Sequence, residues 1–468
     1  MSRVKTKKNF TSGPIFIPML AFVLPVMLTS VLQVLYNTAD KIVVGQFSGD
    51  PNALAAIGCT ASLTTLFVNF VVGTTAGAGI AVSHAFGAGE DDRIRKTVST
   101  SFIFSLVLGI ISAVLGAVLC KPLLLLMGTK NELMSSAMAY MLINCIGIPA
   151  SAIYNTGAAV LRSVGDSKTP LYILSTTGIS NVLLNLVFVI GFGMSVDGVA
   201  IATVVAKYLS AIAVIVIFVK RKEQKYSIDF KNFSVDGAIL GKVARYGLPM
   251  GIQSSLFSIS NVFVTSAVNT FPTTTISARS IANSVDNLLS TALNAYVHAS
   301  MTFVGQNFGA KKEERIKRSI ITSLIQVIMV GSVLSVSIFL VREPLASIYI
   351  DPLDPNKSEV LKEAVKIISF MIFSYILSGV MHVFAGTLRG LGFSFISMII
   401  NLIATCGLRI LWIVAFFPIP VFNHILGLLV IYPISWAAAS IVYVLFIVLV
   451  WKRIKAKCNG HVSEEVSK

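Results

Sequence analysis

The stretch Leu24-Pro25-Val26-Met27-Leu28-Thr29-Ser30-Val31-Leu32-Gln33-Val34-Leu35-Tyr36-Asn37-Thr38-Ala39-Asp40 decides the fold, because it places a carboxylate inside a segment otherwise apolar enough to cross a bilayer. On a helix, Gln33, Tyr36, Asn37 and Asp40 recur at spacings of three, four and seven residues, so their polar groups share one face. That face does not look at lipid. A charged side chain at bilayer depth costs about 2.5–3.5 kcal/mol on insertion scales, so such residues face a cavity or a partner and mark an ion or solute pathway. Asp40 is therefore the candidate functional centre; the competing reading is a buried structural acid.

The rest of the chain fits a membrane setting. Its 468 residues are 55% hydrophobic and 12% charged, with a mean hydropathy of +0.82. A soluble domain carries about 25% charged residues. Apolar runs predict an all-α polytopic protein with twelve spans, near 15–44, 53–84, 97–119, 132–160, 169–193, 196–219, 243–271, 276–305, 319–341, 362–386, 393–417 and 427–451. The net charge of +16 does not point to nucleic acid, because 27 of the 37 Lys and Arg residues fall at the termini and in alternate loops, against 6 in the opposite loops. That bias predicts both termini in the cytoplasm and the plasma membrane as location. The basic tail Lys452-Arg-Ile-Lys-Ala-Lys457 is expected to touch anionic lipid. The basic run ahead of the first span resembles a signal peptide, but no small-residue cleavage site follows, so the first helix is expected to be retained. Five scattered cysteines, Cys59, Cys120, Cys145, Cys406 and Cys458, show neither metal nor disulfide spacing. No Ser/His/Asp set, HExxH motif or nucleotide fingerprint appears, and the loops are too short for an ATPase domain. Neither an enzyme nor a cofactor is expected; an ion gradient must supply the energy.

The chain is duplicated. Val82-Ser-His-Ala-Phe-Gly-Ala-Gly-Glu-Asp-Asp-Arg-Ile-Arg-Lys-Thr-Val98 aligns without gaps to Val304-Gly-Gln-Asn-Phe-Gly-Ala-Lys-Lys-Glu-Glu-Arg-Ile-Lys-Arg-Ser-Ile320. Leu24-Pro25 pairs with Leu248-Pro249, Pro122 with Pro344, and Leu161-Arg-Ser-Val-Gly165 with Leu388-Arg-Gly-Leu-Gly392. Each motif holds the same place in its half, so the repeats are parallel, and proteins built this way bind solutes between or within the halves. The expected division is a six-helix lobe over 1–222, a cytoplasmic linker over 223–242, a second six-helix lobe over 243–452 and a tail over 453–468.

A first helix reading Leu-Tyr-Asn-Thr-Ala-Asp-Lys-Ile-Val-Val-Gly45, a Phe-Gly-Ala loop in each half and the loop Leu161-Arg-x-x-Gly-Asp-Ser-Lys-Thr-Pro170 together resemble the multidrug and toxic compound extrusion (MATE) family over nearly the whole chain. The resemblance implies an outward-pumping, monomeric antiporter in membrane lipid, exchanging small organic, often cationic, compounds for H+ or Na+. It also implies an ion-coupling set in the first lobe, carried here by Asp40, Asn181, Asn185 and Thr203, with Asp40 and Asn181 as the sodium ligands if sodium is the ion. From spacing alone, Thr177, Asn181 and Asn185 form one polar stripe, readable equally as interhelical hydrogen bonding. Two departures favour protons. Asn185 stands where the family branch has aspartate, and hard cations prefer carboxylate-rich cages. Lys207, one turn after Thr203, would make a bound cation superfluous if it faces Asp40.

The substrate cavity is expected to draw on Gln33, Tyr36, Asn37, Lys207, Asp286, His382 and Arg409, although packing is the competing reading for Gln33 and Tyr36. The span from Leu248 to Phe271 holds no acid, unlike the family branch with a glutamate there. Asp286, Asn283 and Arg279 share a helical face, which favours an internally neutralised Arg279–Asp286 pair over a second ion site. His298, His382 and Arg409 are isolated polar residues. If several such groups line one cavity, that lobe is positive and favours anionic or zwitterionic compounds. A flippase for lipid-linked oligosaccharides or lipid precursors is the alternative function, and it would rest on a ring formed by Arg279, Arg409 and Lys207. The Gly-rich run Gly73-Thr-Thr-Ala-Gly77-Ala-Gly79 lacks a phosphate-loop ending and reads as close helix packing.

Overall fold

The computed structural model describes residues 9–48, 53–228, 234–350 and 355–459, and among them no strand occurs. The basic run over 1–8, the linker residues 229–233, the tail beyond Asn459 and the Lys41 side chain lie outside the described residues. The helices are α1 (Phe16–Phe47), α2 (Ala53–Ala88), α3 (Asp91–Leu126), α4 (Asn131–Ile146), α5 (Ile148–Ser163), α6 (Lys168–Leu186), α7 (Val196–Lys220), α8 (Gly237–Val268) and α9 (Thr273–Gly309). They continue as α10 (Glu313–Leu340), α11 (Arg342–Ser347), α12 (Lys357–Met371), α13 (Tyr375–Gly390), α14 (Ser394–Asn401), α15 (Leu408–Leu411), α16 (Ile425–Leu429) and α17 (Ile431–Cys458).

These helices make the twelve expected spans. Among the described residues, nine continuous stretches are long and apolar enough to cross a membrane, and the pair α4 and α5, bent by 42°, makes a tenth. The helices α8 and α9, of 32 and 37 residues, complete the twelve; they are richer in Ser, Thr and Asn, which is why hydropathy alone marks them less strongly. Spans interrupted by short 3-10 or π-helical turns keep their direction: α12 runs into α13, and α14 into α15. Leu126, Leu340 and Leu449 stand exposed on their helices, as side chains facing hydrocarbon do.

The repeat is visible in its turns. Gly165 and Gly392 both take left-handed φ, +85° and +89°. Each closes its helix with the same pair of bonds: Asp166 N–H donates to Leu161 O and Phe393 N–H to Leu388 O, both at 2.8 Å, while the two glycine N–H groups donate to Arg162 O and Arg389 O at 2.9 Å. This is the glycine-closed helix end that leaves carbonyls satisfied.

By packing, the described residues divide into two units, one comprising residue 9 with 28–255 and the other 10–27 with 256–459. The division runs inside α1 and α8, close after Pro25 and Pro249, so the first part of each helix belongs with the other repeat. In the second unit the chain ahead of α1 is fastened through Phe10. Its N–H donates to Gln306 Oε1 at 3.1 Å, its carbonyl accepts from Arg315 Nη2 at 2.8 Å, and its ring stacks on Phe303 at 3.9 Å. In the first unit Asp236 N–H donates to Thr100 Oγ1 at 3.1 Å, which fastens the start of α8 onto α3.

The Gly-rich run of α2 does what close packing requires. A Cβ on Gly73 would lie 2.6 Å from Met250 O, and one on Gly77 2.5 Å from Gly247 N. The two backbones touch, as small residues four apart allow in a membrane.

Candidate functional site

A cavity of about 550 Å³ lies inside the first unit and takes side chains from α1, α2, α4, α5, α6 and α7. The polar face of α1 enters it: Gln33, Tyr36, Asn37 and Asp40 all line the space, joined by Asn181, Thr203 and Lys207. Asp40 reaches its partners because Asn181 and Asn185 lie one turn apart on α6 and Thr203 projects from α7.

The carboxylate is held at both oxygens. Asn185 Nδ2 donates to Asp40 Oδ1 at 2.5 Å, and Thr203 Oγ1 donates to Oδ2 at 3.3 Å. Asn181 Nδ2 in turn donates to Thr203 Oγ1 at 3.4 Å. The structure thus brings the four residues Asp40, Asn181, Asn185 and Thr203 into one network. Asn185 is fully buried behind Asp40, and among the described residues its Oδ1 has no hydrogen-bond partner. Farther along the stripe, Thr177 Oγ1 accepts from Ser210 Oγ at 2.8 Å.

Lys207 shares the cavity with Asp40 but is not in contact with it. Its Nζ donates to Asn144 Oδ1 at 3.3 Å, and among the described residues no ion pair joins it to Asp40. One cation and one carboxylate therefore occupy the same low-dielectric space without direct contact, where their attraction is stronger than in water. For a metal ion the donor set is thin: a single carboxylate, one hydroxyl and amide oxygens, where hard cations favour several carboxylates.

Asp286, His382 and Arg409 do not line this cavity; they belong to the second unit. There Arg279 Nη1 donates to Asp286 Oδ2 at 2.8 Å, with both side chains buried, which is the internally neutralised arrangement. His382 lies 3.5 Å from Ser378 Oγ. Arg409 is buried on α15.

Sequence reasoning missed the wall formed by Tyr140, Asn144, Ser151 and Asn155, which also lines the cavity. The signal was present, since these residues are spaced four, seven and four apart. The stripe crosses Gly147, where α4 gives way to α5, and apolar runs alone read straight through that break. Gly147 is also where Lys207 passes: a Cβ there would meet Lys207 Cδ at 2.9 Å.

The MatE family model matches residues 25–189 and 249–414, one match in each repeat. The chain is 27% identical to a probable multidrug resistance protein, YoeA, of Bacillus subtilis (strain 168), over 92% of this chain and 93% of that protein. It is 26% identical to a probable multidrug resistance protein, NorM, of Thermotoga maritima, over 81% of each chain, and 23% identical to a FAD transporter of Shewanella oneidensis, over 85% of this chain and 87% of that one. A solved outward-facing multidrug resistance MATE family transporter of the MOP superfamily has the same fold, with a TM-score of 0.87 and 21% identity over 97% of this chain and 100% of its own.

Proposed function

Because the chain belongs to the MatE family of multi-pass membrane transporters, we propose that it is a secondary active exporter that exchanges organic, chiefly cationic, compounds for protons by alternating access. The observation that carries this reading is the lone carboxylate Asp40, bonded by Asn185 and Thr203 at the wall of a cavity of about 550 Å³. Membrane carboxylates so placed serve proton relays and ion pathways. Coupling residues are Asp40, Asn181, Asn185 and Thr203; the solute contacts in this unit are Gln33, Tyr36, Asn37 and Lys207. The chain works as a monomer in the plasma membrane with both termini cytoplasmic, which the Lys and Arg bias supports.

Asn185 favours protons over sodium by its chemistry as well as by its charge. Its amide offers a donor at one end and an acceptor at the other, so Nδ2 serves a carboxylate and Oδ1 serves a protonated acid. An aspartate at this position would have only acceptors to offer an ionised neighbour. Protonating an ordinary aspartate at pH 7 costs about 4 kcal/mol, similar to leaving the charge at bilayer depth, so small changes in surroundings move the proton. Proton uptake by Asp40 removes the charge that holds a cationic solute, and outward release follows. Lys207 supplies the fixed positive charge that a bound metal ion would otherwise provide.

The named relatives include multidrug resistance proteins and one FAD transporter, and the first group supports a drug-sized organic substrate. The flippase alternative needs a ring of cations. Arg279 is neutralised by Asp286, and Lys207 belongs to the other unit from Arg409, so the antiport reading is the better supported.

The test is dye efflux from everted membrane vesicles, driven separately by ΔpH and by ΔNa+. A pH gradient alone is expected to drive efflux, and Asp40→Asn to abolish it. Efflux by Asp40→Asn at the wild-type rate, or efflux under neither gradient, would overturn the assignment.

A further inference from the structure

The second unit holds a cation that the coupling chemistry does not use. Arg409 is only 1% exposed, and among the described residues its Nε and Nη2 have no hydrogen-bond partner. Its Nη1 makes one long contact, 3.5 Å to Asn261 Oδ1. The two unpartnered nitrogens are the pair on one edge of the guanidinium, whose N–H bonds point in parallel and fit the two oxygens of a carboxylate or phosphate.

Among the described residues no carboxylate pairs with it. Asp286 is committed to Arg279 at 2.8 Å, while both guanidinium groups face the ring of Tyr432, Arg409 at 4.3 Å and Arg279 at 5.8 Å from its centroid. Phe257 covers Arg409 from another side at 5.3 Å. Ring faces recover part of the cost of burying a cation, but an unpaired buried charge remains expensive. The helix that carries Arg409 is also irregular. Its four α-helical residues, Leu408–Leu411, lie between two π-helical stretches, Leu402–Gly407 and Trp412–Phe416, a distortion found frequently at functional sites. This span is the counterpart, in the second repeat, of the one that carries Asn181 and Asn185.

We propose that Arg409 is an oxyanion receptor: its Nε and Nη2 edge takes the carboxylate or phosphate of a flat aromatic compound whose rings pack against Tyr432. Phe257, 36% exposed, is the side chain such a compound displaces on entry. The exporter then handles organic anions or zwitterions in addition to the cations that Asp40 serves. This site rests on the export reading only for the direction in which its ligand travels.

The experiment is equilibrium binding to the purified full-length protein in phosphatidylcholine nanodiscs, by calorimetry, with 2-naphthoate, 2-naphthyl phosphate and the neutral 2-naphthalenemethanol as probes. Both anions are expected to bind about tenfold or more tightly than the alcohol, since a hydrogen bond to a charged group contributes about 1.5–3 kcal/mol. Arg409→Gln is expected to abolish that preference, and Arg409→Lys to restore part of it, with one point charge in place of the fork. Equal affinity of the wild-type protein for naphthoate and the alcohol overturns the proposal without recourse to any variant. So does an unchanged preference in a folded Arg409→Gln protein. Repeating the titration in nanodiscs with phosphatidylglycerol separates the sources: competition that weakens naphthoate about tenfold assigns the oxyanion to a lipid headgroup, and unchanged binding assigns it to a solute. No gradient enters the measurement, so failed binding leaves the Asp40 reading intact, and failed coupled efflux leaves this site intact.

Discussion

The ring of Tyr36 occupies the space that a side chain on residue 178 would need. A Cβ built on Gly178 would run into Tyr36 Cε2 and Cζ, while the Tyr36 hydroxyl donates to Ser175 O at 3.4 Å. The missing side chain on α6 is thus what allows α1 to present its polar face to the cavity. Gly178→Ala is expected to lower efflux sharply while the protein still inserts and purifies. Overpacking costs about 1–3 kcal/mol, and the helix propensity gained returns about 1 kcal/mol of it. Efflux kinetics with purified, reconstituted Gly178→Ala check this; wild-type transport would show that Tyr36 is not positioned by α6.

Asn185 sets which ion the network accepts. With Asn185→Asp, a second carboxylate joins Asp40 at hydrogen-bonding distance and the oxygen set approaches what hard cations prefer. Two acids so close cannot both ionise without a counter-ion, so either a proton is shared between them or Na+ enters. The expected outcome is efflux that ΔNa+ can drive, which the same everted vesicles measure against the wild-type protein. No gain of sodium drive would mean that position 185 does not govern ion choice.

The sequence made the spans readable because each is an apolar run long enough to cross hydrocarbon, and α1, expected near 15–44, is found at Phe16–Phe47. The polar face of α1 was readable by spacing, and all four of its residues reach one cavity. Contacts between helices were not readable in this way. Nothing local to Lys207 says that it bonds Asn144 and not Asp40, because the choice depends on how closely α7 passes the Gly147 break. The division of α1 and α8 between units was hidden for a related reason. Hydropathy reports only how apolar a residue is, not which neighbour its side chain packs against, so it does not mark the point along a helix where the packing partner changes.

Gly77 and Gly247 give a packing prediction. Their backbones approach so closely that a Cβ on Gly77 would lie 2.5 Å from Gly247 N and 2.6 Å from Val243 O, all main-chain atoms that cannot rotate away. Gly77→Ala is expected to lower thermal stability by about 1–3 kcal/mol, and Gly77→Leu to prevent recovery of folded protein. Fluorescence-detected gel filtration after heating reads both. A Gly77→Ala protein that melts with the wild type would mean that α2 and α8 separate freely.

Lys311 carries strain that its repeat partner avoids. It takes φ of +55°, and among the described residues it is the non-glycine residue in that region; the equivalent position holds Gly89 at +76°. The bonding is otherwise the same in both turns. Gly89 and Lys311 N–H groups donate to Phe86 O and Phe308 O at 3.2 and 3.1 Å, and Glu90 and Lys312 N–H groups to Ala85 O and Asn307 O at 3.1 and 2.9 Å. A side chain in the left-handed region costs about 1–2 kcal/mol, whereas glycine adopts it freely, at the expense of a more flexible unfolded chain. Lys311→Gly is therefore expected to stabilise by up to about 1 kcal/mol, and Gly89→Ala to destabilise by a similar amount. Melting curves of the two variants in one detergent should move in opposite directions; a shift of both to lower temperature would mean that the Lys311 side chain contributes more to stability than its backbone strain removes.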